Sequence, residues 1–279
     1  MKKISNPLFL CLIVLSAIFS SCSDSPAPSP SSLEVPLGNF TSVEIGQHLH
    51  LNIQNASESK AQVSGFGELS NLHFKINDNH LSIYLAEGAA IDQLQITLSA
   101  KMIHELIVTN EAKVDFSKTY FSFEPMTITA KDSAKVFAAE NVAVPKLIID
   151  CTQTSNTDVK NNAIINLPTV IGQEAEIKLA DRAVCNLSGN SFNTISVEAK
   201  GASKFCHEPV EGASLNVPVE AEKYEVKLID AANAWVNASS LIKGEADGGA
   251  HLFYKADGHD HLTVDVEVNG GAELSKRES

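Results

Sequence analysis

The sequence predicts an all-β chain folded as a β-solenoid, with antiparallel strands on its N-terminal side. Three observations predict it. Ala-Asp-Gly-Gly-Ala-His-Leu at 246–252 returns as Val-Asn-Gly-Gly-Ala-Glu-Leu at 268–274, 22 residues later, and such a period belongs to stacked repeats. Apolar and polar residues alternate with period two across the earlier part of the chain. Pro125, Pro145, Pro168, Pro209 and Pro218 interrupt the remainder too often for helix, and β-branched residues dominate between them.

Composition bounds the partners. Of the 279 residues 44% are hydrophobic, enough for a continuous core, while only 6% are aromatic. The net charge is −13 and falls to −15 without the N-terminal leader, which carries Lys2 and Lys3 and no acid. Such a surface repels phosphate backbones and anionic lipid heads. Arg182 and Arg277 are the only residues able to fork onto phosphate, so nucleic acid is excluded as a partner.

Taken in order, the chain opens on a secretory leader over residues 1–21. Lys2 and Lys3 precede an apolar run from Leu8 to Phe19 that is too short to stay in a bilayer. Ser20, Ser21 and Cys22 then resemble a bacterial lipobox, with Phe19 where Leu is usual. That resemblance implies cleavage before Cys22, acylation of its thiol and amine, and sorting to the outer membrane, since Ser23 rather than Asp follows. Residues 22–36 are expected to be a tether. Its Ser23–Ser32 part, with Pro26, Pro28 and Pro30 among serines, would span roughly 30 Å at about 3.1 Å per residue.

The folded domain is expected over 37–279. Leu49, Leu51 and Ile53 alternate with His50 and Asn52, as do Leu81, Ile83 and Leu85 with Ser82 and Tyr84, and Leu94, Ile96 and Leu98 with Gln95 and Thr97. Asn77-Asp78-Asn79 tolerates positive φ and so allows a tight reversal, which predicts an antiparallel start.

From Met102 onward the opening phrase recurs around Ala112, Ala134, Ala183 and Ala202, more loosely around Ala234, and again around Ala250 and Ala272. A degenerate copy is expected near Thr157. Gly, Asn or Asp before the Ala permits a corner, and Ala fits inside a bend where a larger side chain would collide. Stacked at about 4.8 Å, about eight coils would make a rod near 40 Å long. One coil cannot bury its own apolar face, so the phrase must repeat. An Ala-rich helix over Ser133–Ala143 is the competing reading, and the prolines oppose it.

Asn-Asp-Asn before Leu81-Ser82-Ile83, with Gly201-Ala202, Gly249-Ala250 and Gly271-Ala272, resembles the putative auto-transporter adhesin head domain family, the GIN domain, over about residues 37–275. Glu111, Ser133, Arg182 and Asn233 stand where that pattern has Gly, the mark of a divergent member. The resemblance implies a right-handed parallel β-helix and an adhesive role, and it carries no catalytic residue.

The polar constellations are modest. Cys151, Cys185 and Cys206 have apolar flanks and no metal-finger spacing, so they are expected to be buried free thiols. His251, Asp257, His259, Asp260 and His261 are the one cluster with metal-ligand character, but Gly258 and Asp260 read as a solvated loop, and no metal or other cofactor is expected. Asp158, Asp181, Asp230 and Asp247 near Arg182 have the residue types of a glycan-cleaving site, but acids at corners are usually turn formers. There is no Gly-x-Ser-x-Gly, phosphate loop or His-Glu-x-x-His. Phe121 and Phe123 are expected in the core, with Tyr120 exposed, and Trp235 is a candidate stacking surface for sugars.

These readings together predict a tethered outer-membrane lipoprotein acting as a non-enzymatic adhesion or interaction module, with a glycan or protein ligand on its long face. A glycan lyase or hydrolase on the same fold and a self-assembling structural protein are the alternatives.

Overall fold

Period-two patterning drives extended backbone, because each alternating run buries one face only when strands lie side by side. The computed structural model describes residues 29–152, 162–189, 192–206, 218–255 and 261–277. Among them the helical structure is one 3-10 turn at Leu69–Asn71. The folded body begins at Ser31. It contains one mostly parallel sheet of 22 strands and a separate sheet of three.

Two parallel ladders make up most of the large sheet. The first stacks Ser42–Ile45, Glu105–Val108, Met126–Ala130, Lys146–Cys151, Glu174–Leu179, Phe192–Ala199 and Glu220–Leu228 in that order. It continues through residues 241–246 to Thr263–Val268. The second stacks His50–Asn55, Lys113–Phe116, Lys135–Ala138, Ile164–Leu167, Val184–Leu187 and Lys204–Phe205. It continues through residues 233–237 and His251–Lys255 to Glu273–Arg277. The long strand Asn233–Ala246 takes part in both ladders. Tyr120–Phe121, Asn141–Ala143 and Thr169–Ile171 form the three-stranded sheet, also parallel.

One corner joins the first ladder to the second at level after level. Residues with positive φ occupy it: Asn110 and Glu111, Asp132, Asp181, Gly201, Asp230, Gly248 and Gly270. Just after each stands a small residue: Ala112, Ala134, Ala183, Ser203, Ala232 and Ala250 are all fully buried. Their carbonyls accept hydrogen bonds from the next level, as in Lys135 N–H to Ala112 O at 2.9 Å, Ile164 N–H to Ala134 O at 2.9 Å and His251 N–H to Ala232 O at 2.9 Å. Gly201 shows why the bend stays narrow: a Cβ there would lie 3.0 Å from the Asp181 carbonyl of the level beside it.

The structure moves several expected corners. Ser203, not Ala202, takes the buried place, and Ala202 is exposed. Ala232, not Ala234, closes its turn, and Ala234 belongs to the next strand, paired with Phe205 and Leu252. The degenerate copy lies at Ala163, which is fully buried, while Thr157 lies outside the described residues.

The N-terminal part is antiparallel only at its margins. Leu72–Asn77 and His80–Leu85 form a hairpin through Asp78 and Asn79, both with positive φ. Lys60–Phe66 pairs antiparallel with both Ser31–Pro36 and Asp92–Ala100. By contrast Ser42–Ile45 and His50–Asn55 pair in parallel. The expected tether over 22–36 is corrected at its end, because Leu33 and Val35 alternate with Ser32 and Glu34 and carry Ser31–Pro36 into the sheet.

The core is the inward-facing half of these strands, Val, Ile, Leu and Ala for the most part. Its aromatic placement reverses expectation. Tyr120 is fully buried, whereas Phe121 is 51% and Phe123 86% exposed. Tyr120 packs its ring 5.1 Å from that of Phe116, and its hydroxyl accepts from Ile103 N–H at 2.7 Å and donates to Ile103 O at 3.1 Å. A buried phenol needs such partners, and Ile103 supplies both. Burial pushes the phenol pKa up to about 12.

Candidate functional site

Parallel stacking aligns equivalent outward residues into columns running across the strands. On the first ladder one column reads Asp150, Lys178, Glu198, Lys227, Glu245, Glu267. Its neighbour reads Glu176, Ser196, Glu225, Lys243, Asp265. Opposite charges on adjacent strands attract, and each such pair is worth roughly 0.2–1 kcal/mol at a sheet surface. Lys227 Nζ lies 2.8 Å from Glu245, Lys243 Nζ 2.8 Å from Glu225, and Lys178 Nζ 2.8 Å from Glu176 along its own strand.

A groove of about 520 Å³ opens on this face, lined by charged pairs from these columns. Gly244 lies within it at φ +138°, in the inward column between Val226 and Val266. A Cβ at Gly244 would come within 1.8 Å of the Val226 carbonyl oxygen, so no side chain fits. The electrostatics are those of locked pairs. The hydrogen bond from Lys178 holds the Glu176 carboxyl below the usual range, and that from Lys200 does the same for Glu198. The Glu176 bond raises Lys178, and the Glu245 bond raises Lys227. In each of these four groups the ion pair favours the charged form.

Sequence reasoning missed this groove, because its residues belong to five strands spread over 92 positions and only the register brings them together. The signal was present as alternate charges in Glu176-Ile177-Lys178, Glu225-Val226-Lys227 and Lys243-Gly244-Glu245.

Asp230 and Asp247 come to adjacent corners, and Asp181 stands apart from them. Asp181 and Asp230 adopt positive φ at successive corners with Gly201 between them, which puts them about 10 Å apart at two strand spacings. The Asp247 carboxylate accepts from Gly248 N–H at 2.7 Å, the bond of a turn former. Asp158 lies outside the described residues, as do Cys22, Asp257, His259 and Asp260. His251 lies 3.2 Å from Glu273 on the adjacent strand, and His261 is exposed.

Cys151, Cys185 and Cys206 are buried thiols outside any disulfide. Burial pushes the Cys151 and Cys206 thiols up to about 12 and raises Cys185 as well, so all three are neutral and unreactive. Trp235 is half-buried beneath Arg277, whose guanidinium lies 3.9 Å from the Phe253 ring centre and 5.5 Å from that of Trp235. The indole is therefore covered on that side.

Ser42, His80, Glu44 and Glu105 form a polar group unforeseen from sequence. Ser42 Oγ donates to Glu105 at 2.6 Å and lies 2.8 Å from His80 Nδ1, while His80 Nε2 is 3.1 Å from Glu44. A hydroxyl has one proton to donate, and Ser42 directs it at Glu105, while the His80 ring bridges Ser42 and Glu44. The group clamps three strands, Ser42–Ile45, His80–Leu85 and Glu105–Val108.

Comparison with known proteins agrees with this geometry. A family model described as putative auto-transporter adhesin, head GIN domain, matches residues 39–258. No curated protein matches the chain. Among solved structures, the fold is similar to a putative adhesin from Parabacteroides merdae, with TM-score 0.74 and 14% identity over 90% of this chain and 97% of that one. It is also similar to a putative lipid binding protein from Parabacteroides distasonis, with TM-score 0.73 and 15% identity over 90% and 97%. A putative adhesin from Bacteroides fragilis shares the fold more loosely, with TM-score 0.56 and 11% identity over 90% and 99%.

Proposed function

The chain belongs to the putative auto-transporter adhesin, head GIN domain family, and from that membership we propose that it is a non-enzymatic adhesion module tethered to the bacterial outer membrane. The groove on the first ladder carries this reading. Its paired lysines and glutamates offer a fixed array of donors and acceptors to the hydroxyls of a glycan or the polar groups of a protein, and locked carboxylates make poor general acids. The body winds as a right-handed parallel β-helix in this reading, which the repeated corner and the regular ladders support. Steps of 22, 29, 20, 20, 29, 18 and 22 residues between corner positions 112, 134, 163, 183, 203, 232, 250 and 272 are coils of one kind with loops of different length.

Binding of the purified protein to immobilised glycans and extracellular-matrix proteins tests the groove. Lys178→Glu with Lys227→Glu turns one attractive column repulsive, and a tenfold or greater loss of binding to the captured ligand is expected. Binding unchanged in that variant would place recognition elsewhere. Turnover of an acidic glycan that disappears in Asp181→Ala would instead establish the enzymatic alternative.

Anchoring rests on the leader and the lipobox-like Ser20-Ser21-Cys22. Radiolabelled palmitate should enter the chain in cells and be lost in Cys22→Ser. A protein that stays unlabelled would rule out the lipid anchor.

A further inference from the structure

Each ladder ends in a strand with one unpaired edge. At one end of the first ladder Leu72–Asn77 pairs only with His80–Leu85, and at the other Thr263–Val268 pairs only with residues 241–246, among the described residues. An open edge is a template for another strand, and natural proteins block such edges with proline, bulges or inward-pointing charge. Neither strand has proline, a bulge or an inward charge, and the charges each carries lie on its outward face. Leu72, Phe74 and Ile76 point inward on one, Val264, Val266 and Val268 on the other, and Val268 is 40% exposed.

Their outward charges are opposite. Leu72–Asn77 carries His73 and Lys75, while Thr263–Val268 carries Asp265 and Glu267. Elsewhere on this ladder lysines and glutamates are paired across neighbouring strands, as Lys243 is with Glu225 and Lys227 with Glu245. Lys75 and Asp265 have no ion pair among the described residues and sit where the alternating columns stop.

We propose that the chain assembles head to tail with further copies of itself, Leu72–Asn77 of one copy adding antiparallel to Thr263–Val268 of the next. The direction follows from topology. Leu72–Asn77 runs antiparallel to His80–Leu85, which runs parallel to every later strand of the ladder. Aligning the two six-residue strands end to end sets Leu72 opposite Val268, His73 opposite Glu267, Phe74 opposite Val266, Lys75 opposite Asp265, Ile76 opposite Val264 and Asn77 opposite Thr263. Every apolar residue then meets an apolar one, and each base meets an acid. A register shifted by one residue would set every apolar residue against a polar one. Contact between two different ends does not close on itself and generates a linear array. It meets the groove only at Glu267, at one end of the lining, and does not depend on what that groove binds.

Analytical ultracentrifugation of the purified full chain over a range of concentrations tests the proposal, with circular dichroism to confirm that each variant folds. The average mass should rise severalfold with concentration. Lys75→Glu and Asp265→Lys should each weaken association at least tenfold, and the two together, which restore the pair with signs exchanged, should recover it. A mass of one chain at every concentration would overturn the proposal. So would association that persists in both single variants, or that the double variant fails to recover.

Discussion

Ser203 is the one polar side chain described among the fully buried corner positions, and it shows how closely the bend fits. Its Oγ is buried without a hydrogen-bond partner, where Ala183 stands on one side and Ala232 on the other. An unsatisfied buried hydroxyl costs roughly 1–3 kcal/mol. Removing it leaves an alanine that already fits this bend. Ser203→Ala should therefore be neutral or stabilise by up to about 2 kcal/mol, read as a raised urea midpoint at unchanged slope. Destabilisation beyond 1 kcal/mol or so would mean that the hydroxyl has a partner, such as a bound water, and that the corner is built around it. The same residue explains a slip in reading the sequence. Ala202 and Ser203 are both small, and Gly201-Ala202 imitates the Gly-Ala of the last two repeats, so composition alone favours the wrong neighbour. The hydrogen bonds from Asn233 N–H to Ser203 O at 3.0 Å and from Lys204 N–H to Ala183 O at 2.9 Å fix the register.

At the scale of the element, strands were legible wherever one face is buried. The alternation through Leu49-His50-Leu51-Asn52-Ile53 specifies an edge-on period of two, and burial follows it. Pairing direction in the N-terminal part was not legible, because an alternating run without the repeated corner fits a parallel or an antiparallel neighbour equally well. The hairpin turn at Asp78 and Asn79 announces its own antiparallel pair but says nothing of Ser42–Ile45, which lies on the far side of His80–Leu85 in parallel. The two-residue strand Tyr120–Phe121 is too short to establish a period. Its inward residue is Tyr120 because the phenol finds both a donor and an acceptor at Ile103, a pairing that lies 17 residues away and leaves no local trace. Phe121 then faces outward with Phe123, their rings 6.0 Å apart edge to face. The groove was hidden for the same reason as the pairing direction. Lys227 and Glu245, or Lys243 and Glu225, become neighbours only once the register is known.

Over the whole molecule, contacts are confined to adjacent levels, so stability is distributed along the ladders instead of residing in one centre. Residues 263–277 illustrate this. Thr263–Val268 touches only residues 241–246 by strand pairing, and Glu273–Arg277 only His251–Lys255. The side chains of both strands are exposed or half-buried, in contrast to the fully buried Ile242, Ala246 and Leu252 one level in. The family match itself ends at residue 258, before this last level. A chain ending at Lys255 should keep its β-sheet circular dichroism and a cooperative thermal transition. Loss of the two edge strands removes cover from Ile242 and Leu252 but breaks no pairing among the remaining strands. A cost of about 2–3 kcal/mol would lower Tm by roughly 5–10 °C in a body of this size. The freshly exposed Ile242 and Leu252 should also bind a hydrophobic dye that the full chain does not. If the shortened chain instead lost its sheet signal altogether, the last level would be required for the fold to form at all, and nearest-neighbour stacking would not describe this protein.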